Sequence, residues 1–222
     1  MIPWKELARA SLPDEGAPLI LAQRGTEFAI RIGATALMSS LAHGSEELLA
    51  ELACVGLTEQ VGARVLIGGL GMGFTLAAAL RQLPPTARVV VAELMPAIVE
   101  WNRGPLSHLT DAPLDDPRVS VQVTDVCDVL RAHDSAWEAI LLDVDNGPNG
   151  LTRPSNDRLY STAGLRTIRA ALTPHGVLGV WSVGPDANFA RRLGDTGFDV
   201  HETTVRARRT KGGRHTLWIA TA

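Results

Sequence analysis

An α/β fold with a mostly parallel, Rossmann-like sheet is what this 222-residue sequence predicts. Three features carry the prediction. Short apolar runs recur at 65–67, 89–92, 139–142 and 177–181, with helix-like stretches between them. Runs that are apolar throughout, instead of alternating, belong to strands covered on both faces, the condition of a parallel sheet between helices. The first run closes in a glycine-rich turn, Gly68-Gly69-Leu70-Gly71-Met72-Gly73. At the C-terminus, residues 198–205 and 215–220 flank Lys211-Gly212-Gly213 and read as an antiparallel hairpin. A parallel core closed by such a hairpin is the S-adenosylmethionine-dependent methyltransferase type of Rossmann-like sheet. A dehydrogenase would more often continue with parallel units.

The chain begins differently. Leu19-Ile20-Leu21-Ala22-Gln23 is a short apolar run closed by Arg24-Gly25. Phe28, Ile30 and Ile32 then alternate with Glu27, Ala29 and Arg31, a period of two that predicts a half-buried strand. Gly33 breaks it, and Thr35-Ala36-Leu37-Met38 is a further strand candidate. Residues 1–44 thus read as a small N-terminal β region, and 45–222 as the Rossmann-like catalytic domain.

Ser45 followed by Glu46 and Glu47 predicts a helix start. The hydroxyl can cap free N–H groups, and the carboxylates suit the positive end of the helix dipole. Leu48, Leu49 and Leu52 supply its apolar face, and Gly56 its stop. After the strand at 65–67, residues 74–83 predict a helix ended by Pro84-Pro85. Pro96 falls in the first turn of the next helix, where its missing N–H costs little. Asp116-Pro117 turns the chain into Val119, Val121 and Val123.

Composition narrows the function classes. Hydrophobic residues make up 45% of the chain, charged residues 20%, and the formal net charge is −3. That balance gives no broad attraction for nucleic acid or an anionic membrane, so neither is an expected partner. Arg206, Arg208, Arg209, Lys211 and Arg214 read as a solvated basic loop. Cys54 and Cys127 sit among apolar residues without a second cysteine at metal spacing, as free thiols in a reducing compartment do. No basic stretch precedes an apolar run at the start, and no run is long enough to span a bilayer. A cytoplasmic protein is expected. The six histidines lack metal-ligand spacing, so no metal is expected. Ser182 lacks a nucleophile elbow, and a hydrolase triad is unsupported.

The ligand-binding candidates lie at strand ends. Glycines let the backbone turn tightly and a ligand approach without a Cβ in the way. Gly69, Gly71 and Gly73, with Met72 between them, form a G-x-G-x-G pattern. Phe74 occupies the place of the third dinucleotide glycine, which favours an adenosyl nucleoside over a pyrophosphate. Glu93, with Leu94 after it, ends the second strand and can accept hydrogen bonds from ribose hydroxyls. Asp125 can contact an adenine amino group with Val126 against the ring, and it can equally cap a helix. Leu142-Asp143-Val144-Asp145-Asn146-Gly147-Pro148 puts two carboxylates and a carboxamide at the mouth of the same crevice. Asp143 can hold a cationic amine and take its proton, while 146–148 suit turn chemistry. Trp101-Asn102 and Trp181-Ser182 read as packing or rim residues.

As a set, several of these blocks resemble the spermidine synthase (polyamine aminopropyltransferase) family in its short bacterial, spermidine synthase-like branch. They are residues 65–73, Val91-Ala92-Glu93-Leu94, Asp115-Asp116-Pro117-Arg118-Val119, Thr124-Asp125-Val126, Leu141-Leu142-Asp143 and residues 172–178. The resemblance implies a Rossmann-like domain after a small N-terminal β region, assembled as a dimer or tetramer, with a homodimer the expectation here. It implies a decarboxylated S-adenosylmethionine donor and a small-molecule acceptor. It assigns ribose to Glu93, adenine to Asp125 and Val126, and acid/base catalysis to Asp143, with Asp145 as a displaced second acid.

Two departures stand out. Met72 occupies the place of an aspartate in the family's glycine loop, and the family's Asp-(Ser/Thr)-(Ser/Thr)-Asp-Pro motif here reads Asp143-Val144-Asp145-Asn146-Gly147. The family's tyrosine–histidine–glutamate stretch is echoed by His43 with Glu46. An apolar Met72 suits a donor without a free aminopropyl amine. The sequence-based expectation is therefore methyl transfer from S-adenosylmethionine to a small nucleophile. Aminopropyl transfer from the decarboxylated donor to a polyamine is one alternative, and a non-catalytic nucleoside-binding protein is another.

Overall fold

A computed structural model describes residues 2–12, 17–144, 147–148, 158–208 and 210–222. Four strands open the chain: β1 (Lys5–Ala10), β2 (Leu19–Arg24), β3 (Glu27–Ile32) and β4 (Thr35–Ser39). They form an antiparallel sheet in the order β1-β2-β3-β4. Three of these strands were expected. β1 was not, because Lys5-Glu6-Leu7-Ala8-Arg9-Ala10 is polar, lies at the sheet edge and carries a bulge between Glu6 and Ala8. Pairing with β2 makes it a strand, since no apolar alternation marks it.

Helix α1 (Gly44–Cys54) follows. Five parallel strands then build the second sheet: β5 (Arg64–Gly68), β6 (Arg88–Glu93), β7 (Val119–Val123), β8 (Trp137–Leu142) and β9 (Leu172–Ser182). Helices α2 (Phe74–Gln82), α3 (Pro96–Arg103), α4 (Val126–Arg131), α5 (Thr162–Ala171) and α6 (Ala187–Asp195) connect or flank them. The hairpin β10 (Asp199–Arg208) and β11 (Lys211–Thr221) adds two strands, with β11 antiparallel to β9. The order β10-β11-β9-β8-β5-β6-β7 reverses direction beside β5, where ligands enter open α/β sheets. The expected Rossmann-like fold with a closing hairpin and a small antiparallel N-terminal sheet is the one observed.

The strands of the parallel core are buried as their apolar runs require. Val65, Leu66, Ile67, Val89, Val91 and residues 139–142 are essentially sealed from solvent. One hydrophobic cluster takes residues from both sheets: Leu21, Phe28 and Ile30 from the N-terminal strands join Leu49, Ile67 and Leu217. The N-terminal sheet is thus fastened to the same core that supports the glycine turn.

Ser45 departs from its expected role. α1 starts at Gly44, and neither His43 nor Ser45 caps it with a side chain. The Ser45 side chain turns inward instead. Its hydroxyl accepts from Trp181 Nε1 at 3.0 Å and shares a 2.8 Å hydrogen bond with Nδ1 of His215. The helix ends at Cys54 and passes into a 3₁₀ turn at Val55–Leu57, so Gly56 is not its direct stop. Both cysteines are free, Cys54 buried and Cys127 partly buried, and burial raises their thiols to about 12 and about 11. Among the described residues, no helix is long and apolar enough to cross a membrane, and no cluster of ligating side chains is arranged for a metal ion.

Candidate functional site

The glycine turn leaves β5 and enters α2. Gly69, Gly71 and Gly73 all have positive φ, at +86°, +54° and +84°. Gly69 has a second constraint: a Cβ there would run into the carbonyl oxygen of Asp143. Glycine therefore lets the turn lie directly against the exit of β8. The N–H of Asp143 donates to the Gly68 carbonyl at 2.9 Å, fixing that approach. Gly73 precedes the first residue of α2 in the left-handed conformation, which glycine adopts without steric cost. Met72 is only 2% exposed and belongs to the main hydrophobic core.

Glu93 lies where the sequence places it, at the end of β6, and is buried. Oε2 accepts from the N–H of Leu70 in the glycine turn at 2.9 Å, and Oε1 accepts from the N–H of Met95 at 2.8 Å. One carboxylate thus ties the turn to the strand exit. Both oxygens of Glu93 thus hold backbone at the strand end where the sequence expects ribose. Leu94 is 42% exposed beside it, an apolar surface at the sheet edge. Val123, paired with Glu93 across β7, is exposed as well.

Asp125 caps α4, accepting from the N–H of Cys127 at 2.8 Å. The capping role of Asp125 is thus the one its hydrogen bond expresses. Val126 is buried with its methyl against Gly68, so it packs under the glycine turn. Trp101 and Asn102 are buried on α3. The Asn102 amide donates to Gly71 O and Ile98 O, both at 2.9 Å, which makes it a brace for the turn.

Asp143 follows β8, and its Oδ2 accepts from the Thr75 hydroxyl of α2 at 2.7 Å. Burial pushes its carboxyl up from 3.8 to about 6, against the opposing pull of the Thr75 hydrogen bond. The fourth-strand partner Asp145 lies outside the described residues, as does Asn146.

A further acid stands at this point. Glu46 on α1 is held well above the ordinary carboxyl range, first by burial, then by the charges of Asp143 and Glu47. Its Oε2 is sealed from solvent and has no hydrogen-bond partner. Sequence reading gave Glu46 a dipole role at the helix start and, with His43, an echo of the family's tyrosine–histidine–glutamate stretch. Its phase along the helix was the available clue: the buried residues Leu49, Ala50, Ala53 and Cys54 share its face at spacings of three, four, seven and eight. Next to it, Glu47 is engaged otherwise, 3.5 Å from Arg81 and 3.4 Å from His43, while the His43 ring stacks on Phe74.

The strand ends therefore bring together the glycine turn, Glu93, Leu94, Asp125 and Asp143, and α1 adds Glu46. Two clefts, of about 620 and 460 Å³, open elsewhere: one between Gly44, Leu48 and Thr204–Arg206 side chains, the other along Arg81, Thr110 and Arg118. Neither includes these acids, and the hydrogen-bonding geometry above is the better guide to the chemistry.

No protein-family model matches the chain. A polyamine aminopropyltransferase of Mycobacterium tuberculosis is 34% identical over 128 residues, covering 56% of this chain and 24% of that protein. Polyamine aminopropyltransferases of Synechococcus and Streptomyces coelicolor are 31% and 32% identical over about half of this chain and 35% and 23% of their own length. The chain thus spans a quarter to a third of the curated relatives it matches. In fold, the spermidine synthase of Thermotoga maritima superposes with a TM-score of 0.77 at 17% identity, over 98% of this chain and 72% of that one. A spermidine synthase solved with the transition-state analogue AdoDATO gives 0.76 at 16% identity. The spermidine synthase-like resemblance read from the sequence is therefore carried by relatives over half the chain and by fold over nearly all of it.

Proposed function

We propose that this chain is a transferase that binds an S-adenosylmethionine-type nucleoside and moves the aminopropyl group of decarboxylated S-adenosylmethionine onto a small amine. The observation that carries the reading is Asp143: a carboxylate at a strand end, against the glycine turn, anchored by Thr75 and with a pKa of about 6. A base with that pKa is largely ionised at neutral pH and still able to take a proton, the range in which general-base catalysis is efficient. The names of the relatives favour aminopropyl over methyl transfer. The reason for expecting methyl transfer, an apolar Met72 beside the donor, loses its force once that side chain is in the core.

A sulfonium donor brings its own leaving group, a neutral thioether, to the reaction. The chain's contribution is to orient and to accept a proton. Glu93 holds the glycine turn at the strand end where the ribose hydroxyls would meet it. Asp125 stands at the start of α4, where the adenine amino group would meet it, and Leu94 offers an apolar surface for the base. Asp143, with Oδ2 committed to Thr75, uses Oδ1 for the acceptor. As the acceptor nitrogen forms its bond to carbon, the carbon–sulfur bond breaks with the electron pair going to sulfur, and the nitrogen's proton passes to Asp143. A homodimer in the cytoplasm is part of the same reading.

The test is incubation with intact or decarboxylated S-adenosylmethionine and 1,4-diaminobutane. Methylthioadenosine formed from the decarboxylated donor, and only with amine present, is the expected result. S-adenosylhomocysteine from the intact donor would reverse the assignment to methyl transfer. Binding without any product would leave a nucleoside-binding protein.

A further inference from the structure

The hairpin β10–β11 outruns the sheet it closes. β11 pairs with β9 from Thr216, opposite Ser182, to Thr221, so residues 211–215 pair only with β10. Ser182 is the last residue of β9, and the strands parallel to it end on the same side. The hairpin therefore projects past the sheet on the crevice side as a two-stranded ribbon. A 2.8 Å hydrogen bond between His215 Nδ1 and Ser45 ties its base to α1.

This ribbon is cationic without relief. Residues 203–222 contain no aspartate or glutamate. Across the strands Arg206 faces Arg214, and Arg208 faces Lys211. Like charges directly opposite destabilise a strand pair. All four residues are exposed, and among the described residues none of them enters a salt bridge. The charge of Arg208 reaches Glu27, but that carboxylate is held first by its hydrogen bond from Arg24, at 2.6 Å. Keeping an edge strand from pairing calls for charge, and mixed signs would serve, so protection alone does not account for two opposed cation pairs. Nor does a solvated loop, the reading the sequence suggests. Arg209 lies outside the described residues.

The cleft of about 620 Å³ opens beside the ribbon, with Thr204, Val205, Arg206 and Thr210 on one side and Gly44 and Leu48 of α1 on the other. That volume suits a small molecule. The polar side chains lining it are a guanidinium and two hydroxyls, all able to donate hydrogen bonds. A guanidinium matches phosphate geometry, and four clustered cations suit several phosphates better than one carboxylate.

We propose that the ribbon and this cleft form a binding site for the oligophosphate group of a small ligand, with Arg206 in the cleft, Arg214 beside it, and Thr204 and Thr210 as hydroxyl donors. Arg208 and Lys211 add charge at the tip. The repulsion within the ribbon is what the anion offsets on binding. The site stands apart from the transfer reaction, and neither Asp143 nor Glu93 takes part in it.

The experiment is calorimetric titration with sodium triphosphate at constant ionic strength, without divalent cations, against sulfate as a simple anion. Wild type is expected to bind triphosphate at least about tenfold more tightly than sulfate. Arg206→Ala and Arg214→Ala should each weaken that binding about tenfold, the scale of one charge-assisted hydrogen bond. Arg103→Ala, at an exposed arginine of α3, should change it by less than about twofold. Uridine triphosphate, which carries no adenine, tests the cleft: binding tighter than triphosphate places a nucleoside there, and equal binding places the phosphates alone. Triphosphate bound no more tightly than sulfate, or equally by all four proteins, would overturn the proposal. So would an oligouridylate bound much more tightly than triphosphate and lost in the same variants, because the ribbon would then serve a nucleic-acid backbone. Arg214→Thr removes one opposed pair and should raise the urea midpoint of the unliganded protein; a folded variant with an unchanged or lower midpoint would show that the opposed charges carry no cost, and the argument from them would fall.

Discussion

Replacing Asp143 with asparagine should make the protein more stable at neutral pH while removing the proposed transfer activity. The sign follows from burial. Asp143 has a pKa of about 6 in the folded chain against 3.8 in its absence. Below the lower value both states are protonated, and the carboxyl carries no penalty. As pH rises between the two, the unfolded chain ionises first, and stability falls. Above about 6 the loss is complete, and a difference of this size corresponds to roughly 3 kcal/mol. Asparagine never ionises, and its carbonyl can still accept from the Thr75 hydroxyl. It also removes the charge that opposes ionisation of Glu46. The expected gain is about 2 to 3 kcal/mol at about pH 8, vanishing near pH 4. For a chain of this length that is a rise in Tm of roughly 5 to 10 °C. Urea unfolding of both proteins across this range measures it, while turnover should fall by about 10² to 10⁴. A folded variant no more stable than wild type at the higher pH would refute the claim that the Asp143 charge is buried at a cost.

Three other perturbations test the supports of the site. Glu93→Gln sets an amide N–H₂ against one of two backbone donors, Leu70 N–H or Met95 N–H, so a loss of about 1 to 3 kcal/mol is expected with weaker methylthioadenosine binding; unchanged calorimetric binding would remove Glu93 from the nucleoside site. Ser45→Ala leaves Trp181 Nε1 and His215 Nδ1 without their shared partner and should cost about 1 to 3 kcal/mol in denaturant unfolding, whereas an ordinary capping serine would be worth about 1. Gly69→Ala combines a φ of +86° with a collision against the Asp143 carbonyl and should cost about 3 kcal/mol or more, read as a lowered urea midpoint or loss of soluble protein. A near-neutral result would mean that the glycine turn does not lie against β8.

Much of the fold was legible because its strands are apolar without interruption. A run such as Ala139-Ile140-Leu141-Leu142 has no polar face to offer water, so burial on both sides is the only outcome its chemistry allows. β1 escaped because its pattern is set by its neighbour and not by its own side chains. The strand-end residues were legible too, since Glu93 and Asp125 owe their places to positions in sequence next to a strand. α1 was harder. Its large residues suggested a face through Leu48, Leu49 and Leu52; Leu49 is buried as expected, and the rest of the buried stripe runs through the small residues Ala50 and Ala53. Small side chains let a helix approach the sheet closely, and weighting by hydrophobic bulk rotates the inferred face away from the true one. Ser45 was misread through the same rotation: it is buried and hydrogen-bonds inward, so it does not cap the helix start.

The acids of this site divide according to how their charge is compensated. Glu93 receives backbone N–H groups on both oxygens, and Asp125 receives one at the start of α4. Bonds of that kind stabilise the ionised form and hold backbone in place, which is what a scaffold for a nucleoside needs. Among the described residues, Asp143 receives one hydroxyl and no backbone donor, and Glu46 Oε2 receives neither. Acids so placed do little to hold the fold, because their burial is not offset by donors that stabilise the charge. A substitution in the first group should therefore disturb structure and nucleoside binding together, whereas Asp143→Asn should stabilise the empty protein.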